Sequence, residues 1–287
     1  MVARLPPPGN PPEDTGASLF APRPLLEDAL LYGAMSTNAP SRPDRNDPGG
    51  SNPPVNGQSS PAPRLLITAG PTHEPIDNVR YLANRSSGRL GVELASAAAQ
   101  SGWQTTLLLG PAPLRCTDTR VTTFRFSSTA DLESLLAVHA PACDCLIMAA
   151  AVADFRPRQD TTDPPLKVHR TDAGLTLHLE ATPDLLAGVA RARRPEQVFV
   201  GFALEPRKTM IEAARAKLIR KRIDMIIANP LETMDSDIIE AVLIENAGAA
   251  DEPGPTESTP GPISKVEFAR WLLDRLSRRL GQPSGKV

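Results

Sequence analysis

The chain has 287 residues, with 31 Lys+Arg against 33 Asp+Glu, a formal net charge of −2 and a pI near 6.1. That length holds one large domain or two small ones at roughly 100–200 residues each, and the balanced charge argues against a general nucleic-acid or anionic-membrane binder. No apolar run nears the roughly 20 residues that span a bilayer, the N-terminus lacks the pattern of a secretory signal, and three cysteines exclude a disulfide scaffold and fit a reducing, cytoplasmic setting.

Taken in chain order, the first feature is proline. Of 31 prolines, 14 lie in residues 1–63, among many Ser, Gly and Asn. Such a segment buries too little apolar surface to offset its chain entropy, so residues 1–63 are expected to be a disordered extension. Its one candidate helix runs from Leu25 to Met35, and Met35 is an alternative start. Leu65 to Ala69 then reads as a buried strand ending at Gly70-Pro71. Residues 88–101 read as a helix with Leu90 and Leu94 one turn apart, stopped at Ser101-Gly102. Thr105 to Leu109 and Val121 to Phe126 are further strands. Ser128 and Asp131 form a capping box that opens a helix through His139. Residues 145–151 are a fully apolar central strand. Cys143 and Cys145, without a second pair to make a zinc site, are expected to be buried small hydrophobes.

Strands follow over 198–202, 225–228 and 240–244, with a helix from about Thr209 to Arg222. The Pro/Gly/Glu/Thr stretch 248–262 looks like a surface loop. Ser264 and Glu267 cap a last amphipathic helix carrying Phe268, Trp271, Leu272 and Leu276, and residues 282–287 form a tail. Strands alternating with helices predict an α/β fold: a doubly wound, mostly parallel, Rossmann-like sheet with helices on both faces over 64–281.

The segment from Thr68 to Gly88 carries the chemistry. It joins the first strand to the first long helix, where open α/β sheets bind phosphates on helix N-terminal N–H groups. Ser86 and Ser87 offer hydroxyls, and Gly88 lets a ligand approach the backbone. The alternative is a polar loop with an ordinary N-cap serine. The string matches neither G-x-G-x-x-G nor a P-loop, so an NAD(P)-binding oxidoreductase, allowed by a parallel sheet, lacks its fingerprint. Asp154 follows the apolar strand and stands where such sheets hold ligands; capping a turn before Arg156-Pro157 is its bland role. Lys217 and Lys221, four apart, share a helix face, which a merely solvated basic face would also give. Lys167 alone is an ordinary loop lysine. Phe202 is core by default. His73, His139 and His178 carry no assigned role.

Read together, Thr68-Ala-Gly-Pro-Thr-His-Glu-Pro-Ile-Asp77, Val79-Arg80 and Asn84-Arg-Ser-Ser-Gly88 closely resemble the signature of phosphopantothenoylcysteine synthetase, the C-terminal half of a bifunctional bacterial coenzyme A biosynthesis flavoprotein. The likeness continues in order through Ala149 to Pro157, Lys167 to Arg170, Thr182 to Leu185, Val200 to Ala203, Lys217-x-x-x-Lys221 and Ala228-Asn229. It implies a ligase joining 4′-phosphopantothenate to L-cysteine through an acyl-nucleotide. It implies nucleotide binding by Ser86, Ser87, Gly88, Ala149, Ala150, Asp154, Lys167, Thr182, Pro183, Asp184, Leu185, Phe202, Lys217 and Lys221. It assigns substrate binding to Arg80 and Asn84, catalysis to Asn84 and Lys167, and Mg²⁺ to Asp154. CTP is favoured over ATP, and a homodimer is implied. No FMN is expected, because residues 1–63 are too short for the decarboxylase domain of the fused form. Two departures stand out: Thr182 replaces the family's usual Asn, and Val168-His169-Arg170 thins its basic run. An inactive nucleotide-binding homologue is the reading those departures leave open.

Overall fold

A computed structural model describes residues 61–158, 166–247 and 253–281. The candidate helix over 25–35, the alternative start at Met35, the tail 282–287 and most of the disordered stretch expected over 1–63 lie outside those residues. The sheet has eight strands: β1 (Arg64–Ala69), β2 (Gln104–Leu109), β3 (Val121–Arg125), β4 (Cys145–Met148), β5 (Val198–Glu205), β6 (Met225–Pro230), β7 (Val242–Asn246) and β8 (Pro253–Ser258). Their order is β8-β7-β6-β5-β4-β1-β2-β3. The six from β3 to β6 are parallel, and β7 and β8 add antiparallel at one edge. The expected doubly wound sheet is what forms.

Five helices cover it: α1 (Arg89–Gln100), α2 (Thr129–His139), α3 (Leu185–Ala192), α4 (Met210–Lys221) and α5 (Lys265–Arg279). Alternation along β1 assigns its side chains to two cores, since successive strand residues face opposite ways. Leu65, Ile67 and Ala69 pack with Leu94, Ala98, Phe268 and Leu272, so α1 and α5 lie on one face. Leu66 packs with Leu132, Leu136, Leu186 and Leu218, so α2, α3 and α4 lie on the other. A strand buried on both faces reads as an unbroken apolar run, the pattern seen at 65–69 and 145–148. Both capping boxes are present, Ser128 with Asp131 and Ser264 with Glu267. Cys143 and Cys145 are buried free thiols; burial pushes the Cys143 thiol up to about 11.

The stretch read as a surface loop instead contains β8. Prolines 253 and 255 hid it in the sequence, yet an edge strand needs hydrogen bonds on one side only and so tolerates missing N–H groups. α3 was not anticipated either. Its eight residues follow Pro183-Asp184, with Asp184 as N-cap accepting from the Ala187 N–H at 3.1 Å. Among the described residues, three small two-stranded antiparallel sheets accompany the main one, pairing His73–Pro75 with Tyr81–Ala83, Phe155–Pro157 with Leu179–Ala181, and Ile238–Ile239 with Ile263–Ser264. The strand order reverses at β1, flanked by β2 and β4, and a crevice outside the carboxyl ends of such strands is the usual ligand site.

Candidate active site

A cavity of about 750 Å³ opens there, walled by the turn after β4, the start of α1, the N-cap of α3 and one face of α4. The start of α1 is shaped by glycines. Gly88 is the N-cap at φ 71°, with no side-chain hydrogen bond capping the helix; an ordinary side chain is strained in that conformation. The N-cap serine of the alternative reading is therefore not formed. Ser86 Oγ accepts from the Gly88 N–H at 3.3 Å and Ser87 Oγ from the Arg89 N–H at 3.4 Å. Gly91 lets the helix meet β1: a Cβ there would lie 2.4 Å from the Ala69 Cβ. The positive end of α1 thus faces the cavity at close range.

The turn over 149–154 is fixed from behind by buried threonines. Thr68 Oγ1 accepts from the Ala150 N–H at 3.1 Å, and Thr72 Oγ1 from the Ala153 N–H at 3.0 Å. Thr129 Oγ1 donates to Glu74 Oε1 at 2.7 Å, while the Thr129 N–H donates to the same oxygen at 2.9 Å. Thr68, Thr72, Glu74 and Thr129 are all at most 3% exposed. Thr182, the departure from the family pattern, donates its hydroxyl to the Ala153 carbonyl at 2.5 Å and its N–H to the Asp154 carbonyl at 3.0 Å. It closes the turn from the α3 side.

Opposite stand the α4 lysines. Lys217 Nζ donates to the Phe202 carbonyl at 2.8 Å, and burial, then the neighbouring Lys221, lower its pKa. Lys221 Nζ donates to Asp184 Oδ1 at 2.5 Å. Burial alone would raise the Asp184 carboxyl, but Lys221 and the Ala187 N–H together hold it below its usual value. Phe202 is half-buried, packs against the α1–α5 core and also lines the cavity.

Of the residues expected in the site, Ser86, Ser87, Gly88, Ala149, Ala150, Asp154, Thr182 to Leu185, Phe202, Lys217 and Lys221 line this cavity; Arg80, Asn84 and Lys167 do not. Asn84 stands one residue behind the wall, its Nδ2 donating to the Val152 carbonyl at 2.8 Å. Arg80 is committed to Asp77 at 2.5 Å and to the Val168 carbonyl at 2.8 Å. Asp77 also accepts the Val168 N–H at 2.9 Å, and Arg80, with that amide, holds the Asp77 carboxyl well below the usual range. The pair clasps the loop bearing the exposed Lys167. Sequence reasoning missed Thr68, Thr72, Glu74, Asp77 and Thr129 as supports, although four of them stand within the quoted motif.

No three His, Cys, Asp or Glu side chains gather to hold a metal among the described residues. The exposed Asp154 offers one carboxylate on the wall. That donor set fits Mg²⁺ only when nucleotide phosphates complete it, a common way for this ion to bind. No described helix is long and apolar enough to cross a membrane.

Residues 62–279 match the family described as DNA/pantothenate metabolism flavoprotein C-terminal domain. A protein named coenzyme A biosynthesis bifunctional protein CoaBC, from Mycobacterium tuberculosis strain ATCC 25618 / H37Rv, is 42% identical over 225 residues, covering 74% of this chain and 51% of that protein. Another, named cysteine/cysteine sulfinic acid decarboxylase, from an unknown prokaryotic organism, is 40% identical over 179 residues, covering 62% of this chain and 47% of that protein. The crystal structure of the C-terminal domain of a CoaBC protein aligns with a TM-score of 0.62 at 30% identity, covering 76% of this chain and 96% of that one. The chain spans about half the length of the curated relatives it matches.

Proposed function

This chain belongs to the DNA/pantothenate metabolism flavoprotein C-terminal domain family, and on that premise we propose that it is a ligase joining 4′-phosphopantothenate to L-cysteine in coenzyme A biosynthesis. The observation that carries the reading is the meeting, in one cavity, of the glycine-capped start of α1, the braced turn 149–154 and the lysine face of α4. A carboxylate is a poor acyl donor at neutral pH, so it must first be activated. Its oxygen attacks the α-phosphorus of a nucleoside triphosphate, the bond to pyrophosphate breaks, and an acyl-nucleotide forms. The cysteine amine then attacks the acyl carbon, the carbon–oxygen bond breaks, the amine loses a proton and the nucleoside monophosphate leaves.

The residues divide that work. N–H groups at the start of α1, with Ser86 and Ser87, cradle phosphate oxygens. Lys217 and Lys221 add cations at the far wall, and Thr182, Asp184 and Phe202 frame the nucleoside between them. Asn84 keeps one amide hydrogen on Val152 and offers its remaining amide groups to the acyl end. Lys167 supplies positive charge to the phosphate in the transition state. Mg²⁺ on Asp154 would neutralise phosphate charge when bound.

CTP is the favoured nucleotide and ATP the alternative, a choice supported by the bacterial-type lysine pair and Asn84–Gly88 loop. A homodimer is also part of the proposal. Tyr81, Phe155 and Leu166 leave apolar surface exposed, at 55%, 53% and 82%, of the kind a second copy covers. The test is pyrophosphate release by the purified chain with CTP or ATP. Release that needs phosphopantothenate, and product that needs cysteine, support the reading; release indifferent to both sinks it.

A further inference from the structure

Three lysines line the cavity: Lys217, Lys221 and Lys265. The first two are tied to the Phe202 carbonyl and to Asp184. Lys265, the first residue of α5, is only 9% exposed. Its backbone N–H donates to the Asp237 carbonyl at 3.1 Å, yet among the described residues its Nζ takes neither hydrogen bond nor ion pair. The side chain is largely buried while its ammonium, lacking a bonded counter-ion, opens onto the cavity; partial desolvation of such a charge is costly, and a cation in the first turn of a helix also opposes the helix dipole. Packing alone would be met better by Met or Leu. Burial and the nearby Arg89 lower its pKa, with Asp237 and Asp235 opposing them.

The surroundings say which ligand charge is missing. The cations nearest the start of α1 are already neutralised, Arg85 by Asp235 and Arg89 by Asp237. What remains is the uncapped positive end of α1 and the unpaired Lys265, both on the cavity wall. Both favour an anion, and neither offers a donor set for a cation.

We infer that Lys265 is a phosphate-binding residue: its ammonium takes the oxygens of a phosphate group held between the starts of α1 and α5. The inference rests on the ligase reading only for the source of that phosphate. It is either the tail of the nucleoside triphosphate, which departs as pyrophosphate, or the phosphate of the phosphorylated acid.

The test is direct binding to the full chain by calorimetry in magnesium-containing buffer, with pyrophosphate, CTP and phosphopantothenate as separate probes. Lys265→Met keeps the stem and removes the charge; Lys265→Gln serves where the Met variant fails to fold. Removing one charge-assisted hydrogen bond to phosphate weakens binding by about tenfold or more. Weakening confined to pyrophosphate and CTP assigns the nucleotide tail. Weakening confined to phosphopantothenate assigns the other source. Lys265→Arg should recover most of the affinity, and ligand-free Lys265→Met should unfold at the same temperature as the wild type or higher, because an unpaired, partly desolvated charge is gone. A structural role would not produce that combination. The inference falls if all three affinities stay within about twofold of wild type, or if the wild-type chain binds none of the probes. Because no turnover is read, a chain that binds these probes without making product would defeat the ligase reading and leave this result standing.

Discussion

The turn over 149–154 is held from behind by Thr68, Thr72, Glu74 and Thr129, all buried, whereas the loop bearing Lys167 is clasped to the body through Asp77 and Arg80. In the first region, donors and acceptors are matched where water does not compete, so losing one member leaves others unsatisfied. In the second, the Lys167 side chain is exposed and adds little to the folded state. On the proposed ligase reading, mutation of the wall should read out as stability and mutation of the loop as chemistry.

The largest effect belongs to the braced wall. Glu74→Ala strands the Thr129 N–H and leaves its hydroxyl only the 3.3 Å bond to Thr72 Oγ1, and a buried group left unpaired costs about 1–3 kcal/mol. We expect urea unfolding to show a loss of about 1–3 kcal/mol. A loss below about 1 kcal/mol would mean that water replaces the carboxylate and that the brace is weak.

Lys167→Gln tests the other side. Turnover should fall by about 10- to 100-fold, the scale of one lost hydrogen bond to a charged group at about 1.5–3 kcal/mol, with the unfolding midpoint unchanged. Unchanged turnover would remove its catalytic role; a shifted midpoint would break the contrast between the two regions.

Thr182 sits where the regions meet. Thr182→Val removes the hydroxyl bond to the Ala153 carbonyl and should cost about 0.5–1.5 kcal/mol, with a raised KM for nucleotide as the turn loosens. Full stability with normal KM would make the hydroxyl incidental.

The smallest effect is a pH dependence of the clasp. The folded Asp77 carboxyl is held below its ordinary value of 3.8, by Arg80 first and then by the Val168 amide. A depressed carboxyl contributes its full stabilisation above the unfolded value and loses it as pH falls through the folded one. The protection factor of the Val168 amide should therefore stay flat from pH 7 to about 5 and fall only on further acidification. In Asp77→Asn it should be low throughout; equal protection in both proteins would show that the clasp does not hold the loop.

The fold was largely legible because its central strands are buried on both faces and announce themselves as apolar runs at 65–69 and 145–148. The strand pairs at 73–83 and 155–181 were not, since three-residue strands are too short to show a period. β8 was concealed by prolines that only an edge position tolerates. In the site, the position of Asp154 and of the α1 start followed from topology. The braces did not, because Glu74 and Thr129 are 55 residues apart and each is an ordinary polar residue until folding joins them. The serines of the 84–88 loop left a side-chain cap open as an alternative, whereas a glycine with positive φ occupies that place. Lys265 carried one overlooked signal, a cation in a helix's first turn, where acidic residues are the norm.

The most direct test of the central claim follows one oxygen. Phosphopantothenate labelled with ¹⁸O in its carboxylate is turned over with CTP and cysteine, and the products are weighed by mass spectrometry. Attack of the carboxylate on the α-phosphorus, followed by aminolysis at the acyl carbon, transfers one labelled oxygen to CMP and leaves pyrophosphate unlabelled. Label in pyrophosphate or inorganic phosphate, or in neither nucleotide nor phosphate product, would contradict the acyl-nucleotide route.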